Sequence, residues 1–187
     1  MSHDHYLDIH LLPDPEFAPD QLLRALFGKL HRALVQLGDG SVGISLPAHS
    51  ARGTGSHLRL HGSLNALTQL QALDWLTGMR DHTRLGELAA VPTGCQHRVV
   101  HRVQVDSNPE RLRRRLIKRH GLDEDAARQR IPDSAMQLTC LPWVEMRSQS
   151  SGQRFRLYIE HGPLQESPTP GAFSTYGLSR STTVPWF

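Results

Sequence analysis

Hydrophobic positions along this chain change period several times, and each change predicts an element. Residues 6–11 cluster and alternate apolar groups as a short strand, and Pro13, Pro15 and Pro19 then interrupt the chain. From residue 19 to 37, Leu22, Leu23, Leu26, Phe27, Leu30 and Leu34 recur three and four apart, which is one stripe of an amphipathic helix, and Gly38 supplies a left-handed stop. Residues 42–46 and 57–61 read as strands joined by a Gly/Ser/Arg loop. Residues 64 to about 75 read as a second amphipathic helix, and 88–91 as a last strand. The order β-α-β-β-α-β is that of the ferredoxin-like arrangement, a four-stranded sheet with two helices on one face. That fold serves many unrelated functions, so it settles none.

Pro92-Thr93-Gly94 marks a junction, dividing the chain into a ferredoxin-like domain over 1–93 and an α+β domain over 94–187. In the second half, residues 96–105 predict a strand and 108–120 a helix, with a shorter helix starting near Asp123. Residues 143–148, the Ser151-Gly152 turn and residues 155–159 predict a hairpin, and the apolar end Val184-Pro185-Trp186-Phe187 is expected to dock rather than hang free. The fold class is therefore α+β. With 187 residues, 38% hydrophobic and 21% charged, the composition is that of a folded chain and not of a solvated, disordered one.

Charge sharpens this picture. The formal net charge is only +3, yet of 21 Lys+Arg just Lys29 and Lys118 are lysine. A guanidinium is planar, always charged and weakly hydrated, so it grips phosphate or a base edge with two parallel hydrogen bonds. A GC-rich genome also produces arginine, so location must decide. It does so in NPERLRRRLIKRH, where Arg111, Arg113, Arg114, Arg115, Lys118 and Arg119 place six cations in nine residues. Ser107 or Asn108 can cap this helix, Ser107 and Glu110 fit a capping box, Pro109 suits its first turn and Gly121 can end it. Leu112 and Leu116 hold one stripe for packing. Arg111, Arg114 or Arg115, Lys118 and Arg119 fall on another, where like charges cost a few tenths of a kcal/mol per pair unless a polyanion faces them. A solvated or acid-paired face is the bland alternative, but Glu110 is the one local counter-charge.

Just upstream, the strand His101-Arg102-Val103-Gln104-Val105 alternates, which sends Arg102 and Gln104 to one face and Val103 and Val105 to the other. Arginine pairs with the O6/N7 edge of guanine and glutamine with the N6/N7 edge of adenine, so this frame suits adjacent G and A readout; simple solvation is the competing account. The strings FGKLHRALV, RVQVDSNPERLRRRLIKRHGL, RSQSSGQRFRLYIEHGPLQ, YGL and the terminal VPWF, taken with these features, run essentially end to end. On them the chain resembles the CRISPR-RNA-processing endoribonucleases of the type I-F system.

That resemblance implies a repeat-derived RNA hairpin as partner, cut at its 3′ base and retained in a near single-turnover reaction, with other subunits of the surveillance complex as further partners. It implies His31 as general base or proton-transfer residue, Ser148 as the group holding the ribose 2′-OH, and Tyr176 as the group orienting the histidine. Arg102 and Gln104 are then the readers at the foot of the stem, Phe155 stacks on the terminal base pair, and Arg111, Arg114, Arg115, Lys118 and Arg119 form the major-groove and phosphate face. Lys118 stands where such proteins usually carry arginine, which keeps the charge but not a bidentate contact. Taken singly, His31 beside its apolar stripe reads as a structural histidine, Ser148 as a turn hydroxyl, Phe155 as core, and Tyr176 carries no independent signal.

The chemistry implied needs no metal and no cofactor, because RNA brings its own nucleophile: a 2′-OH beside the scissile phosphate needs alignment and a base. The products would be a 2′,3′-cyclic phosphate and a 5′-hydroxyl. Twelve histidines invite a metal reading, but the pairs His57/His61 and His97/His101, four apart on strands, are too distant to share one ion. There is no phosphate-binding P-loop and no nucleophile elbow. Cys95 and Cys140 read as two thiols without assigned chemistry, and with no signal-like or membrane-spanning run the expected compartment is the cytoplasm. Two rival classes remain at this level, a non-catalytic RNA-hairpin-binding subunit and, more weakly, a basic ribosomal or DNA-binding protein.

Overall fold

A computed structural model describes residues 3–50, 53–104, 109–132, 141–148 and 152–187. The class is α+β, with two antiparallel sheets. In the first, β1 (His5–Leu11) lies centrally, with β3 (His57–Gly62) on one side and the edge strand β2 (Gly43–Ser45) beyond it. The other side of β1 is taken by two short strands, β4 (Thr83–Leu85) and β5 (Ala89–Ala90). The order β2-β3-β1-β4 is the ferredoxin-like one. The fourth strand, expected at 88–91, is thus split in two and begins earlier.

Helix α1 (Pro19–Leu37) opens with the Gln21 side chain accepting from the Ala18 N–H at 3.2 Å, and closes at Gly38, whose φ of 70° lets its N–H reach the Leu34 carbonyl at 3.0 Å. Its buried face is the predicted stripe extended by Ala33. Leu7, Ile9 and Leu11 of β1 and Leu58 and Leu60 of β3 meet it, together with Leu67 and Leu70 of α2 (Leu64–Ala72). Burying a leucine side chain of this kind contributes about 2 kcal/mol. Helix α2 stops earlier than its apolar pattern predicts. Asp74 takes a positive φ of 47° after Leu73, and Trp75 and Met79 reach the core from the turns that follow.

The second sheet has the order β7-β8-β6-β9: β6 (Gln96–Val103), β7 (Trp143–Arg147), β8 (Arg154–Gln165) and β9 (Thr183–Trp186). The terminal segment is indeed docked, pairing with β6 and burying Val184 completely. The register of β6 on β8 shifts between Arg98 and Val100. There Arg98 donates to the carbonyls of His161 and Gly162 and lies 4.4 Å over the Trp186 ring.

Each sheet lies within one of the two sequence halves, but compactness cuts the chain elsewhere. Met1–Val103 with Leu141–Phe187 form one unit, and Gln104–Cys140 form a second. The second unit holds α3 (Pro109–His120) and α4 (Glu124–Arg130). Asp123 caps α4 by accepting from Ala126 N–H at 2.7 Å, and Arg113 Nε donates to the Ile131 carbonyl at 2.7 Å. Among the described residues, no helix is long and apolar enough to cross a membrane.

Candidate active site

His31 sits one residue past Leu30 on α1, at the edge of the buried stripe and half-buried itself. Its Nδ1 lies 2.8 Å from the Thr175 carbonyl oxygen. A carbonyl only accepts, so Nδ1 carries the hydrogen; in the neutral ring the lone pair is left on Nε2. The imidazole stacks on Tyr176 with centroids 4.3 Å apart and planes 3° from parallel. One tautomer and one ring orientation are therefore fixed by a carbonyl and an aromatic face.

Both partners come from the turn at residues 174–177, which is itself pinned. Ile44 N–H of β2 donates to the Gly177 carbonyl at 2.9 Å, and Gly177 N–H donates to Ser174 O at 2.8 Å. Gly177 has φ 70°, and a Cβ there would lie 2.6 Å from Ile44 Cγ2. Glycine is required both for the left-handed backbone and for the close approach to β2.

Phe155 meets Tyr176 edge to face at 6.5 Å, and the Arg102 guanidinium lies 5.2 Å over the Phe155 ring. His31, Tyr176, Phe155 and Arg102, singled out from four distant parts of the sequence, thus form one continuous run of ring contacts. Phe155 is only partly buried, unlike Leu157 and Ile159 on the same strand, and Arg102 is exposed. Gln104 is exposed as well.

Ser148 directly follows β7, and there its N–H donates to Gln153 O at 2.8 Å and its carbonyl accepts from Gly152 N–H at 2.9 Å. It shares with His31 the lining of a cavity of about 730 Å³. Arg24, Lys29, Arg32, Arg147 and Arg154 line the same space. Glu145, also on the wall, pairs with Arg24 and with Arg154 at 3.3 Å. Five cations around one carboxylate make this a place for an anion. Sequence reading missed these basic wall residues, because they are scattered over α1 and the hairpin and only folding gathers them.

Helix α3 bears out part of its predicted division of faces. Arg114, Arg115, Lys118 and Arg119 are exposed, Leu112 and Leu116 are half-buried, and Gly121 ends the helix at φ 63° with its N–H on Ile117 O. Arg114 pairs weakly with Glu110 at 3.3 Å on the open surface. Arg113 departs from the basic run: it is 8% exposed and serves α4. The Arg111 side chain, the caps Ser107 and Asn108, and Val105 lie outside the described residues, as does Ser151 of the hairpin turn.

Several histidines are structural. His61 is fully buried with Nε2 2.8 Å from Ser45 Oγ, and His161 Nε2 accepts from Leu46 N–H at 3.2 Å while stacking on His49 at 3.8 Å. Burial, aided by nearby Arg59, lowers His61 to about 3. Burial, then the adjacent His49, lowers His161 to about 3 as well. In the unfolded chain each titrates near 6.5. Between these values the unfolded state binds more protons than the folded one. The stability contributed by burying the rings neutral is fully present above about pH 6.5 and is lost as pH falls toward 3, by roughly 1 kcal/mol per pH unit for each ring. Denaturant melts from pH 7.5 to 4.5 should show stability falling through this window, and His161→Phe should flatten the slope; an unchanged slope in that variant would refute the assignment for His161.

The family model described as CRISPR-associated protein (Cas_Csy4) matches residues 6–187. A CRISPR-associated endonuclease Cas6/Csy4 from Pseudomonas aeruginosa (strain UCBPP-PA14) is 54% identical over 186 residues, spanning 98% of this chain and all of that protein. Another of the same name from Escherichia coli (strain UTI89 / UPEC) is 48% identical over 184 residues, again 98% of this chain and all of the relative. With the aromatic run at His31, the arginine helix and a match along nearly its whole length, this chain belongs to the Cas6/Csy4 family of CRISPR-associated proteins.

Proposed function

We propose that this protein is an endoribonuclease that binds CRISPR repeat hairpins in precursor RNA, cuts each at the 3′ base of its stem without a metal ion, and keeps the product. The single observation that carries the reading is the setting of His31: Nδ1 is committed to the Thr175 carbonyl, the ring is clamped on Tyr176, and the residue opens on a basic cavity shared with Ser148. Nε2 of the neutral ring takes the proton from the ribose 2′-OH. The resulting alkoxide attacks the adjacent phosphorus as the bond to the 5′-oxygen breaks, that oxygen takes a proton from solvent, and the ends are a 2′,3′-cyclic phosphate and a 5′-hydroxyl. Ser148 holds the 2′-OH, and Tyr176 acts as a positioning residue through its stack on the imidazole. The cations of the wall, Arg32 and Lys29 among them, offset the charge gathering on the phosphate.

Phe155, with Arg102 over its ring, is the platform for the terminal base pair, and the exposed Arg102 and Gln104 read the bases above it. Arg111, Arg114, Arg115, Lys118 and Arg119 are assigned to the stem's groove and phosphates. Retention of the hairpin follows from so large a charged contact, and makes the protein a cytoplasmic subunit that travels with its RNA into the type I-F surveillance complex.

Incubation with the cognate repeat RNA in EDTA tests the reaction. All-RNA substrate should be cut, while a substrate with 2′-deoxyribose at the nucleotide preceding the cut should bind equally and remain whole. Cutting of the deoxy substrate would overturn the mechanism. Binding of the all-RNA hairpin without any cutting would instead identify a non-catalytic hairpin-binding subunit.

A further inference from the structure

The first sheet carries a second cluster of chemistry-bearing side chains, away from His31. His10 of β1 stands directly opposite His57 of β3, and Asp8 stands opposite Arg59. The two imidazoles stack with centroids 4.1 Å apart and planes 26° from parallel. His57 Nε2 donates to Asp8 Oδ1 at 2.7 Å. One donor atom from each of Asp8, His10 and His57 lies within 4.8 Å of the other two, and all three residues are half-buried. None of them lines the cavity at His31.

We propose that Asp8, His10 and His57 form a binding site for a divalent transition-metal ion of the zinc class. Two imidazole nitrogens and a carboxylate oxygen are the donors such ions prefer, whereas magnesium and calcium favour all-oxygen sets. Zinc bonds of about 2.0–2.1 Å in a tetrahedron place neighbouring donors about 3.4 Å apart, so the three groups close on an ion by small side-chain rotations, with a fourth position left for water. Ligation through His57 Nε2 displaces the hydrogen that this nitrogen now donates to Asp8 Oδ1, and the neutral imidazole then carries its single N–H on Nδ1.

The carboxylate is already oriented for this. Arg59 Nε and Nη2 hold its two oxygens at 2.7 and 2.9 Å. The guanidinium is in turn fixed 4.0 Å over the Phe187 ring and by a 3.0 Å bond to the Phe187 carbonyl. A ligating carboxylate held by an outer hydrogen bond is the usual second layer of a metal site. Arg59, and the exposed Arg84 opposite His10, also place positive charge nearby. The affinity is therefore weaker than that of a thiolate site, and the role is structural: the ion ties β1 to β3 across the middle of the sheet.

Calorimetric titration of chelator-stripped full-length protein with zinc, and with cobalt to read the visible spectrum of a tetrahedral site, tests the proposal. The expected result is one equivalent bound in the micromolar range, a melting temperature raised by zinc but not by magnesium, and at least about ten-fold weaker uptake in His10→Ala. His57→Ala should do the same. His10 is the safer variant because it leaves the Asp8–Arg59 pair in place, and its metal-free melting temperature checks the fold. His97→Ala, on another strand, should bind metal as the parent does. Equal affinity in His10→Ala, or no saturable uptake below millimolar zinc in the parent, overturns the proposal.

Discussion

His31→Ala is expected to lower the single-turnover cleavage rate by about 10²–10⁴-fold, the usual contribution of a positioned proton-transfer group, while hairpin affinity stays close to that of the parent. The division between rate and binding follows from the surroundings of the ring. His31 contacts the Thr175 carbonyl and the Tyr176 face, and the exposed cations of α3 belong to another part of the chain. Quench-flow or gel assays under enzyme excess give the rate, and filter binding gives the affinity. Tyr176→Leu separates orientation from proton transfer, because it removes the stacking face and leaves the imidazole. Its rate should fall less than that of His31→Ala, with the pH dependence of cutting retained. Full activity in His31→Ala would refute the role given to this residue.

Arg115→Ala and Arg119→Ala carry the second large effect, this time on binding. Both side chains are exposed on one stripe of α3, four residues apart, and neither has an ion-pair partner among the described residues. Removing one charge-assisted hydrogen bond to the RNA should weaken hairpin binding by roughly 1.5–3 kcal/mol, about ten- to more than a hundred-fold. The plot of log affinity against log salt should become shallower by about 0.7–0.9 for every phosphate the variant no longer neutralises. Arg113→Ala should behave differently. That side chain is buried against α4, so the variant should lower stability and leave the salt slope of the folded fraction unchanged. An unaltered slope in Arg115→Ala and Arg119→Ala would exclude them from the phosphate face.

Elements with a long, regular pattern were legible from residues alone. Helix α1 begins and ends where its leucine stripe and Gly38 predict, because seven buried positions on one face outweigh any competing local preference. The edge of the first sheet was not. Thr83–Leu85 and Ala89–Ala90 are too short to show alternation, and they exist as strands only because β1 offers them hydrogen bonds. The burial of Arg113 against α4 was not legible either, since composition records charge and not the carbonyl that receives it. In the candidate site, Tyr176 had no signal of its own. It reaches His31 through a turn whose Thr175 lies 144 positions further along the chain. The cross-strand pair His10 and His57 escaped notice for the same reason, as spacing along a strand says nothing about the strand opposite.

The Gly177 turn has a bearing on timing. On the proposed reading, the imidazole stays unaimed until a turn whose Thr175 lies 144 positions downstream has been made and has closed onto β2. A nascent chain that stops short of Gly177 would then carry the reactive nitrogen and the basic helix yet be unable to cut.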